Sequence, residues 1–313
     1  MAFKGSLVPN ITIFRQDGSV DFEKTRWHMS WMLGHGTDGL FLTGSYGLGP
    51  LLSHDERVSI FALAKEAAAG FKDKILIPHV GCIDAKQAVD LAVAAEKVGV
   101  DAVGAVPPFY YKHTDESVFN YYKAIIGAVN IPVFAYNNPA TSRYTISFNM
   151  VKRLQAIGLA GLKDSPMQVG FLSEVAYDAK LNRKNFQIIG GTSTGWLPYY
   201  FMGIEAMIAG TNNWAPEMVT ELVRATFAGE WPRAEEVYLE MADINRKMHF
   251  CDSTIASHMA LYARKFDAGY PRAPMLLPGF DDPKYAEIRG WLKASFDRLG
   301  IPLTEGDCVT ASA

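Results

Sequence analysis

The strongest constraint on the fold is a rhythm along the chain, in which short apolar runs alternate with longer stretches of helical periodicity. The runs are apolar throughout, and this favours parallel strands that are buried on both faces. The eight runs cover residues 7–14, 39–43, 75–80, 102–106, 132–136, 159–163, 186–189 and 206–209. Eight strands, each followed by a helix, predict an α/β fold of the (β/α)8 type, a TIM barrel. A doubly wound sheet is the alternative, because the number of strands alone does not show that the sheet closes into a barrel.

The helical stretches between the runs carry recognisable start and stop signals. Ser53 with Glu56 forms a capping-box pattern ahead of one helix, and Gly99 ends an apolar stripe with helical spacing. Pro166 and Pro216 each stand where proline is favoured, at the first position of a helix. These signals support the alternation of strands and helices.

The last part of the chain holds more helical patterns than a barrel needs. Helical periodicity recurs at about residues 217–228, 233–248, 255–267 and 283–299. The first pattern completes the eighth strand–helix unit, and the others predict a C-terminal helical appendage. We therefore expect the barrel and its active site in residues 1–228, the helical extension in 229–303 and a disordered tail in 304–313.

Composition and charge argue against several classes of protein. The 313 residues are 49% hydrophobic and carry a formal net charge of −3, without a block of lysines and arginines. We expect no nucleic-acid and no membrane partner, because a clustered basic footprint usually marks both. The three cysteines are far apart and fit free thiols, and no apolar run is long enough to span a bilayer. No signal-peptide pattern opens the chain, so the expected location is cytoplasmic.

Lys163 stands out at the strand ends, where the chemistry of such barrels gathers. It closes an otherwise apolar strand, and partial burial there would lower its pKa from about 10.4 and make the amine a nucleophile. Taken alone, a lysine at a strand end more often reaches solvent. Tyr136 lies at the end of the preceding strand and favours a catalytic role for Lys163 over a solvent-exposed one. A phenol beside the amine can pass protons between intermediates.

A glycine-rich turn at residues 44–49 follows the second strand. Ser45 and the adjacent backbone N–H groups could hold a carboxylate, although an ordinary glycine turn has the same composition. The glycines are spaced G-x-x-G-x-G, whereas a dinucleotide-binding turn has G-x-G-x-x-G after the first strand. The turn therefore gives poor support for a nucleotide cofactor. Neither a histidine pair nor a cluster of acids predicts a metal site.

These strand ends, in this order, resemble those of the dihydrodipicolinate synthase/N-acetylneuraminate lyase family of class I (Schiff-base) aldolases. Within that family, the 2-keto-3-deoxy sugar-acid aldolases look most similar. The resemblance runs from about Gly5 to at least Glu217. Four segments carry most of it: Gly44-Ser45-Tyr46-Gly47-Leu48, Pro108-Phe109-Tyr110-Tyr111-Lys112, Tyr136-Asn137-Asn138-Pro139 and Gly161-Leu162-Lys163-Asp164.

The resemblance implies a role for each of these strand ends. Lys163 would form the imine, Tyr136 would be the acid/base, and Ser45 would keep the hydroxyl of a proton relay. Tyr110 would complete the relay from a neighbouring subunit, with the adjacent Tyr111 as the alternative. This implies a tight dimer and commonly a homotetramer, a dimer of dimers. The implied substrate contacts are Tyr46, Gly47, Thr141, Gly191, Thr192 and Ile208.

Several positions depart from the family pattern. The glutamate of the family's turn is Leu48 here, and the second threonine is Tyr46. Dihydrodipicolinate synthases carry an arginine where this chain has Thr141, with Arg143 two places later. Sialic-acid lyases place carboxylates after the seventh strand, where this chain has Thr192. These departures weaken the lysine-biosynthesis and sialic-acid readings.

The leading hypothesis is a class I lyase that cleaves or forms a C–C bond next to the pyruvate unit of a 2-oxo acid. A 2-keto-3-deoxy sugar acid is one such substrate, and pyruvate and an aldehyde are then the small-molecule partners. The imine itself withdraws electrons, so no metal or organic cofactor is expected. A dehydratase and a dihydrodipicolinate synthase-type condensation are alternatives on the same chemistry. A non-catalytic metabolite-binding barrel and a nucleotide-dependent oxidoreductase are the alternatives from other classes.

Overall fold

A computed structural model of the chain describes residues 3–182 and 185–306. Within these ranges, eight strands form one sheet in which every neighbouring pair is parallel. The strands are β1 Gly5–Val8, β2 Gly39–Leu42, β3 Ile75–Pro78, β4 Val103–Ala105, β5 Val133–Asn137, β6 Gly161–Asp164, β7 Gln187–Gly190 and β8 Ala206–Ile208.

The sheet closes on itself. Its strand order is β3-β2-β1-β8-β7-β6-β5-β4, and the two end strands are consecutive in the chain. A parallel bridge between His79 and Gly104 joins them, and the N–H of Val80 donates to the carbonyl of Gly104 at 2.8 Å. The predicted TIM barrel is therefore confirmed. The doubly wound sheet, which would leave two open edges, is wrong.

Twelve α-helices of the described residues surround and extend the barrel. They are α1 Phe22–Gly34, α2 His54–Ala68, α3 Ala85–Val98, α4 Asp115–Ala128, α5 Pro139–Ser142, α6 Phe148–Ala156, α7 Val169–Asn182, α8 Trp196–Phe201, α9 Pro216–Phe227, α10 Trp231–Met248, α11 Ser253–Ala263 and α12 Lys284–Leu299. The predicted capping box begins α2, Gly99 ends α3 with a φ of 81°, and Pro216 opens α9.

The prediction that Pro166 opens a helix is wrong. The helix α7 begins only at Val169, because the residues before it form a turn instead. Met167 has a φ of 55°, in the left-handed region, and its N–H donates to the Asp164 carboxylate at 2.9 Å. The side chain of a strand residue thus holds this turn at the mouth of the barrel.

The first strand is shorter than the apolar run 7–14 predicted. It ends at Val8, and Pro9 has no N–H to donate to a neighbouring strand. The residues that follow stay buried but bond to side chains, as when Ile11 N–H donates to Asn213 Oδ1 at 3.0 Å. The apolar run therefore indicated burial correctly but overestimated the length of the strand.

Two layers of apolar side chains stabilise the barrel, one inside it and one between strands and helices. Successive residues of a strand face opposite sides, so Tyr136 and Lys163 face the interior while Asn137 and Asp164 face the helices. On the helical side, Asn137 Nδ2 donates to Asp164 Oδ1 at 2.6 Å. The interior set is Phe3, Leu7, Phe41, Ile75, Ile77, Ala102, Val106, Phe134, Tyr136, Ile189, Ala206 and Ile208.

The helices α10, α11 and α12 form the predicted extension and pack against the last helix of the barrel. Arg264, just after α11, is fully buried and pairs with Glu217 of α9 at 2.6 Å. Its Nε also donates to the Thr304 carbonyl at 2.9 Å, so the start of the predicted tail lies against the extension. Residues 307–313, the rest of that tail, lie outside the described residues. No helix of the described ranges is both long and apolar enough to cross a membrane.

Candidate active site

Lys163 lies at the end of β6 with its amine inside the barrel mouth. Its side chain is 3% exposed, and Nζ lies 3.8 Å from the ring centres of both Phe41 and Tyr136. Among the described residues, none forms an ion pair or a hydrogen bond with this amine. A buried amine without a carboxylate partner is unusual, because lysines are rarely buried unless they are paired.

Two effects act on the protonation of this amine in opposite directions. Burial disfavours the ammonium form and holds the pKa of Lys163 well below its ordinary value. The two aromatic faces favour the ammonium form, but each such contact is worth only about 0.5–2 kcal/mol. Removing an ammonium from water costs several kcal/mol. Burial therefore prevails, and the amine becomes a free nucleophile at a lower pH than an exposed lysine.

Tyr136 lies directly opposite Lys163 in the register between β5 and β6. Its oxygen accepts hydrogen bonds from Ser165 Oγ and from Asn138 Nδ2, both at 3.2 Å. Burial raises the pKa of the Tyr136 phenol, while the hydrogen bonds from Ser165, Ser45 and Asn138 oppose that rise. The phenol therefore carries its proton at neutral pH and has donors in place to stabilise a phenolate.

The glycine-rich turn after β2 brings Ser45 to the cavity and turns Gly47 away from it. Ser45 is exposed and lines the cavity together with Tyr136, where its hydroxyl acts to lower the pKa of the phenol. Gly47 is buried behind the turn, where its carbonyl accepts from Thr12 Oγ1 at 2.8 Å. Leu48 takes up a φ of 51° and packs in the core, so the turn presents no side-chain acid from this position.

The strand ends surround a cavity of about 320 Å³, a size typical of small-molecule sites. Its lining includes eight of the ten predicted site residues: Ser45, Tyr46, Tyr136, Thr141, Lys163, Gly191, Thr192 and Ile208. The other two, Gly47 and Tyr110, do not line it. Polar lining residues that the sequence analysis did not select are Asn138, Ser165, Ser193, Thr194, Thr211, Asn245 and His249.

Tyr46 forms the wall of the cavity on the side of β8. A Cβ atom on Gly210 would lie 2.2 Å from the Tyr46 phenol oxygen, so this ring requires a glycine after β8. Burial raises the pKa of the Tyr46 phenol, and a hydrogen bond with Ser253 of α11 opposes that rise. The large ring thus links the turn after β2 to the helical extension.

The outer end of the cavity is built from hydroxyl and amide groups. Thr211 Oγ1 donates to Asn245 Oδ1 at 2.9 Å, and Asn245 Nδ2 donates to Ser193 Oγ at 3.3 Å. The hydroxyls of Ser193 and Thr211 are 2.9 Å apart, which closes the network. Among the described residues of the lining, none is a carboxylate and Lys163 is the one lysine or arginine. The far end is therefore polar without a fixed charge.

Tyr110 does not line the cavity of its own chain. Its side chain is 75% exposed with a φ of 79°, and the ring of Tyr111, 64% exposed, stands nearly perpendicular to it at 4.9 Å. A second groove beside the cavity is lined by Phe109, Tyr110, Thr141 and Arg143. Thr141 lines both, so the groove adjoins the cavity at that residue.

The residues missed by the sequence analysis differ in whether any signal could have found them. Ser165 directly follows β6, and Thr211 lies in the loop after β8, so the rule that selected Lys163 applies to both. Asn245 and His249 belong to α10 and to the residue after it, where no strand-end pattern operates. Only the packing of the extension against the barrel brings these two residues to the cavity.

Comparisons with known proteins agree with this geometry. The model of the "Dihydrodipicolinate synthetase family" matches residues 2–294. A 4-hydroxy-tetrahydrodipicolinate synthase from Rhodopseudomonas palustris (strain BisA53) is 33% identical over 237 residues, which are 75% of this chain and 78% of the relative.

Two solved structures show the same fold over nearly their whole length. KD(P)GA from T. tenax has a TM-score of 0.81 at 26% identity, covering 95% of this chain and 99% of that one. A prophage protein of the dihydrodipicolinic acid synthase family from E. coli K12, in complex with pyruvate, has a TM-score of 0.86 at 23% identity. That alignment covers 96% of this chain and all of the other.

The family model spans most of the chain, and the Rhodopseudomonas relative shares a third of its residues over three quarters of it. The order of strand ends around the buried lysine agrees with that match. The resemblance expected from the sequence is thus confirmed, and this chain belongs to the dihydrodipicolinate synthetase family.

Proposed function

We propose that this protein is a class I aldolase that cleaves, or forms in reverse, the C3–C4 bond of a hydroxy-2-oxo acid through an imine on Lys163. The observation that carries the proposal is the pair of Lys163 and Tyr136. The amine is buried without a charged partner among the described residues, and the phenol lies opposite it in register. This is the arrangement needed for a nucleophilic amine with an adjacent proton carrier.

The chemistry divides between the two residues. Lys163 Nζ attacks C2 of the substrate, and the Tyr136 phenol gives its proton to the departing hydroxyl, so that water leaves and a protonated imine remains. Ser165 and Asn138, which already donate to Tyr136, stabilise the resulting phenolate. The phenolate then takes the proton of the C4 hydroxyl. The C3–C4 bond breaks, its electrons pass into the imine, and an aldehyde leaves.

The remaining enamine returns to pyruvate. The Tyr136 phenol returns the proton taken from the C4 hydroxyl to C3, and this regenerates the protonated imine. Water hydrolyses that imine, the released proton goes back to the phenolate, and pyruvate and the free amine of Lys163 remain. Ser45 relays protons to Tyr136, and the backbone N–H groups near Ser45 and Tyr46 hold the carboxylate of the 2-oxo acid. Main-chain oxygens of Gly191 and Ile208 complete the lining around the reacting carbons.

The cavity favours a 2-oxo acid whose aldehyde half is neutral. Its outer end offers Thr192, Ser193, Thr211 and Asn245, all of which exchange hydrogen bonds with hydroxyl groups. A 2-keto-3-deoxy sugar acid has hydroxyls there, and we propose this substrate class. Pyruvate is the common product, consistent with the pyruvate complex of the E. coli relative.

A dihydrodipicolinate synthase-type condensation is the second candidate, because relatives such as the Rhodopseudomonas protein are named as 4-hydroxy-tetrahydrodipicolinate synthases. Its aldehyde bears a second carboxylate, which needs a cation. The cavity has Thr141 at the relevant position, while Arg143 is exposed in the adjoining groove. Arg143 would have to turn into the cavity to bind that carboxylate, so the aldolase reaction is favoured over the condensation. A dehydratase would use the same imine but lose the C4 hydroxyl as water.

We also propose that the working unit is an oligomer, a dimer of dimers in the cytoplasm. Tyr110 is exposed beside the cavity, which suits a side chain that reaches the site of a neighbouring subunit. The thiols of Cys82 and Cys251 are free, as is usual in a reducing compartment.

Borohydride trapping tests the imine that the aldolase, the condensation and the dehydratase have in common. Pyruvate is added, the protein is reduced with borohydride, and the modified lysine is located by mass spectrometry. An imine-forming enzyme gains a pyruvate-derived adduct on Lys163, whereas an oxidoreductase does not. A panel of 2-keto-3-deoxy sugar acids is then tested for pyruvate release, against pyruvate consumption with a carboxylate-bearing aldehyde. Loss of the sugar acid without pyruvate release would indicate the dehydratase, and trapping with no loss of any substrate would leave a metabolite-binding barrel.

A further inference from the structure

The outer end of the cavity includes a histidine that the proposed reaction does not use. His249 directly follows α10 and lines the cavity with Asn245, which lies one helical turn earlier. The two residues are the contribution of the helical extension to the cavity lining in the described part of the chain. Since the barrel supplies the reactive groups, the extension meets the substrate only at its far end.

The tautomer of His249 follows from its hydrogen bond. Its Nδ1 lies 2.5 Å from the main-chain carbonyl oxygen of Asn245. A carbonyl oxygen can only accept, so Nδ1 carries the hydrogen, and Nε2 of the neutral ring keeps a free lone pair. Nε2 has no hydrogen-bond partner among the residues that the structure describes. The hydrogen bond of Nδ1 thus orients the exposed ring and leaves Nε2 as an acceptor.

The helical turn that carries this histidine is held by the barrel. The Asn245 side chain is 9% exposed and bonds to Thr211 after β8 and to Ser193 after β7. The helical turn that carries His249 is therefore held against the strand ends by these two hydrogen bonds, while the His249 ring itself is exposed at the cavity. Such support from neighbouring groups is what a residue needs to discriminate between substrates by geometry.

The surroundings of His249 indicate the kind of group it binds. Within the described lining there is no carboxylate, and the one lysine or arginine is Lys163 at the inner end. A phosphate or carboxylate at the far end would meet hydroxyls and an amide but no lysine or arginine. A hydroxyl group can donate to Nε2 and also exchange hydrogen bonds with Thr192 and Thr194, which line the same end.

We infer that His249 is a specificity-determining residue that accepts a hydrogen bond from a distal hydroxyl of the aldehyde half. The helical extension thereby selects a neutral polyhydroxy substrate over shorter or anionic ones. This inference rests on the proposed aldolase function and adds the residue that discriminates between its substrates.

The experiment compares a long and a short substrate in the same variants. The long substrate is the aldol product of pyruvate and glyceraldehyde, and the short one is the product of pyruvate and glycolaldehyde, which lacks the distal hydroxyl. In His249→Ala, the ratio of kcat/KM for long over short substrate should fall about tenfold, mostly through KM, the loss expected for one hydrogen bond. His249→Gln keeps an acceptor oxygen and should recover part of the ratio. His54→Gln, outside the cavity lining, is the matched control.

The outcomes separate this inference from the function on which it rests. An unchanged ratio in both His249 variants, with pyruvate still trapped on Lys163 and unchanged melting, would overturn the role of His249 alone. A wild-type protein that traps no pyruvate would overturn both proposals. Faster wild-type turnover with a phosphorylated aldehyde half, lost in His249→Ala, would show that the site binds an anion and would overturn the neutral substrate class.

Discussion

Tyr136 and Lys163 are cross-strand neighbours whose contact is between an amine and a ring face. They pair in register between β5 and β6, and Lys163 Nζ lies 3.8 Å from the centre of the Tyr136 ring. The phenol oxygen is bonded elsewhere, by Ser165 and Asn138. The amine is therefore left free to form the imine, while the phenol is connected to the groups that move protons.

Lys163→Ala should abolish both turnover and borohydride trapping of pyruvate. The fold should persist, because this side chain has no hydrogen bond or ion pair to lose among the described residues. Mass spectrometry of the trapped protein and a thermal melt check both statements. Lys123→Ala, on the exposed face of α4, serves as the control. An adduct on any lysine other than 163 would refute the assignment.

Tyr136→Phe should lose turnover by about 10²–10⁴-fold, the usual contribution of a positioned acid/base. Some imine should still form, because the nucleophile is intact and the Phe ring keeps the same packing. Stopped assays of pyruvate release, together with trapping, measure the two effects separately. Tyr177→Phe, at an exposed position of α7, is the matched control. Near-normal turnover in Tyr136→Phe would remove this residue from the mechanism.

Lys163→Met should stabilise the protein while removing its activity, and the gain should depend on pH. Burial lowers the pKa of Lys163 in the folded protein, whereas the unfolded chain holds the proton up to about pH 10.4. Between these two pKa values the unfolded state binds more protons, so wild-type stability rises with pH across that window. The Met variant lacks this rise.

The advantage of Lys163→Met in melting temperature should thus be largest below the lowered pKa and should shrink as the pH approaches about 10. Thermal melts at a series of pH values, with Lys123→Met as the control, measure it. A packing difference alone would give a constant offset. An offset that does not change with pH would therefore mean that the amine of Lys163 titrates as an exposed lysine does.

Activity should depend on assembly if Tyr110 serves the neighbouring subunit. Inactive Lys163→Ala subunits mixed with inactive Tyr110→Phe subunits should regain activity, because a mixed dimer holds one site with both an intact lysine and an intact tyrosine. This prediction is based on the exposure of Tyr110, which lines the groove that adjoins the cavity.

Subunit exchange is verified by native mass spectrometry, and the turnover of the mixture is compared with that of each parent. Tyr111→Phe is tested in parallel, since the two adjacent rings are both exposed. The contrary result is a mixture of the two mutants that stays inactive after full exchange, while mixtures of either mutant with wild type behave normally. That result would assign Tyr110 to its own subunit or to no role.

The sequence by itself determined the strand–helix alternation and the pairing of Lys163 with Tyr136. Apolar runs and caps such as Ser53 are local patterns, and each reports burial or helix boundaries within a few residues. The ends of parallel strands meet on one face of a barrel, so residues that close consecutive strands must be neighbours. For the same reason, the cavity includes eight of the ten residues selected from the strand ends.

Only the tertiary structure decided the closure of the barrel and the far end of the cavity. Closure depends on the contact between His79 and Gly104, which strand number does not encode. Whether Gly47 and Tyr110 line the cavity depends on the backbone angles of single turn residues, such as Leu48 and Tyr110 itself. Asn245 and His249 reach the cavity because a distant helix packs over it. Such contacts join residues far apart in the chain, so no local pattern of apolar residues or caps carries them.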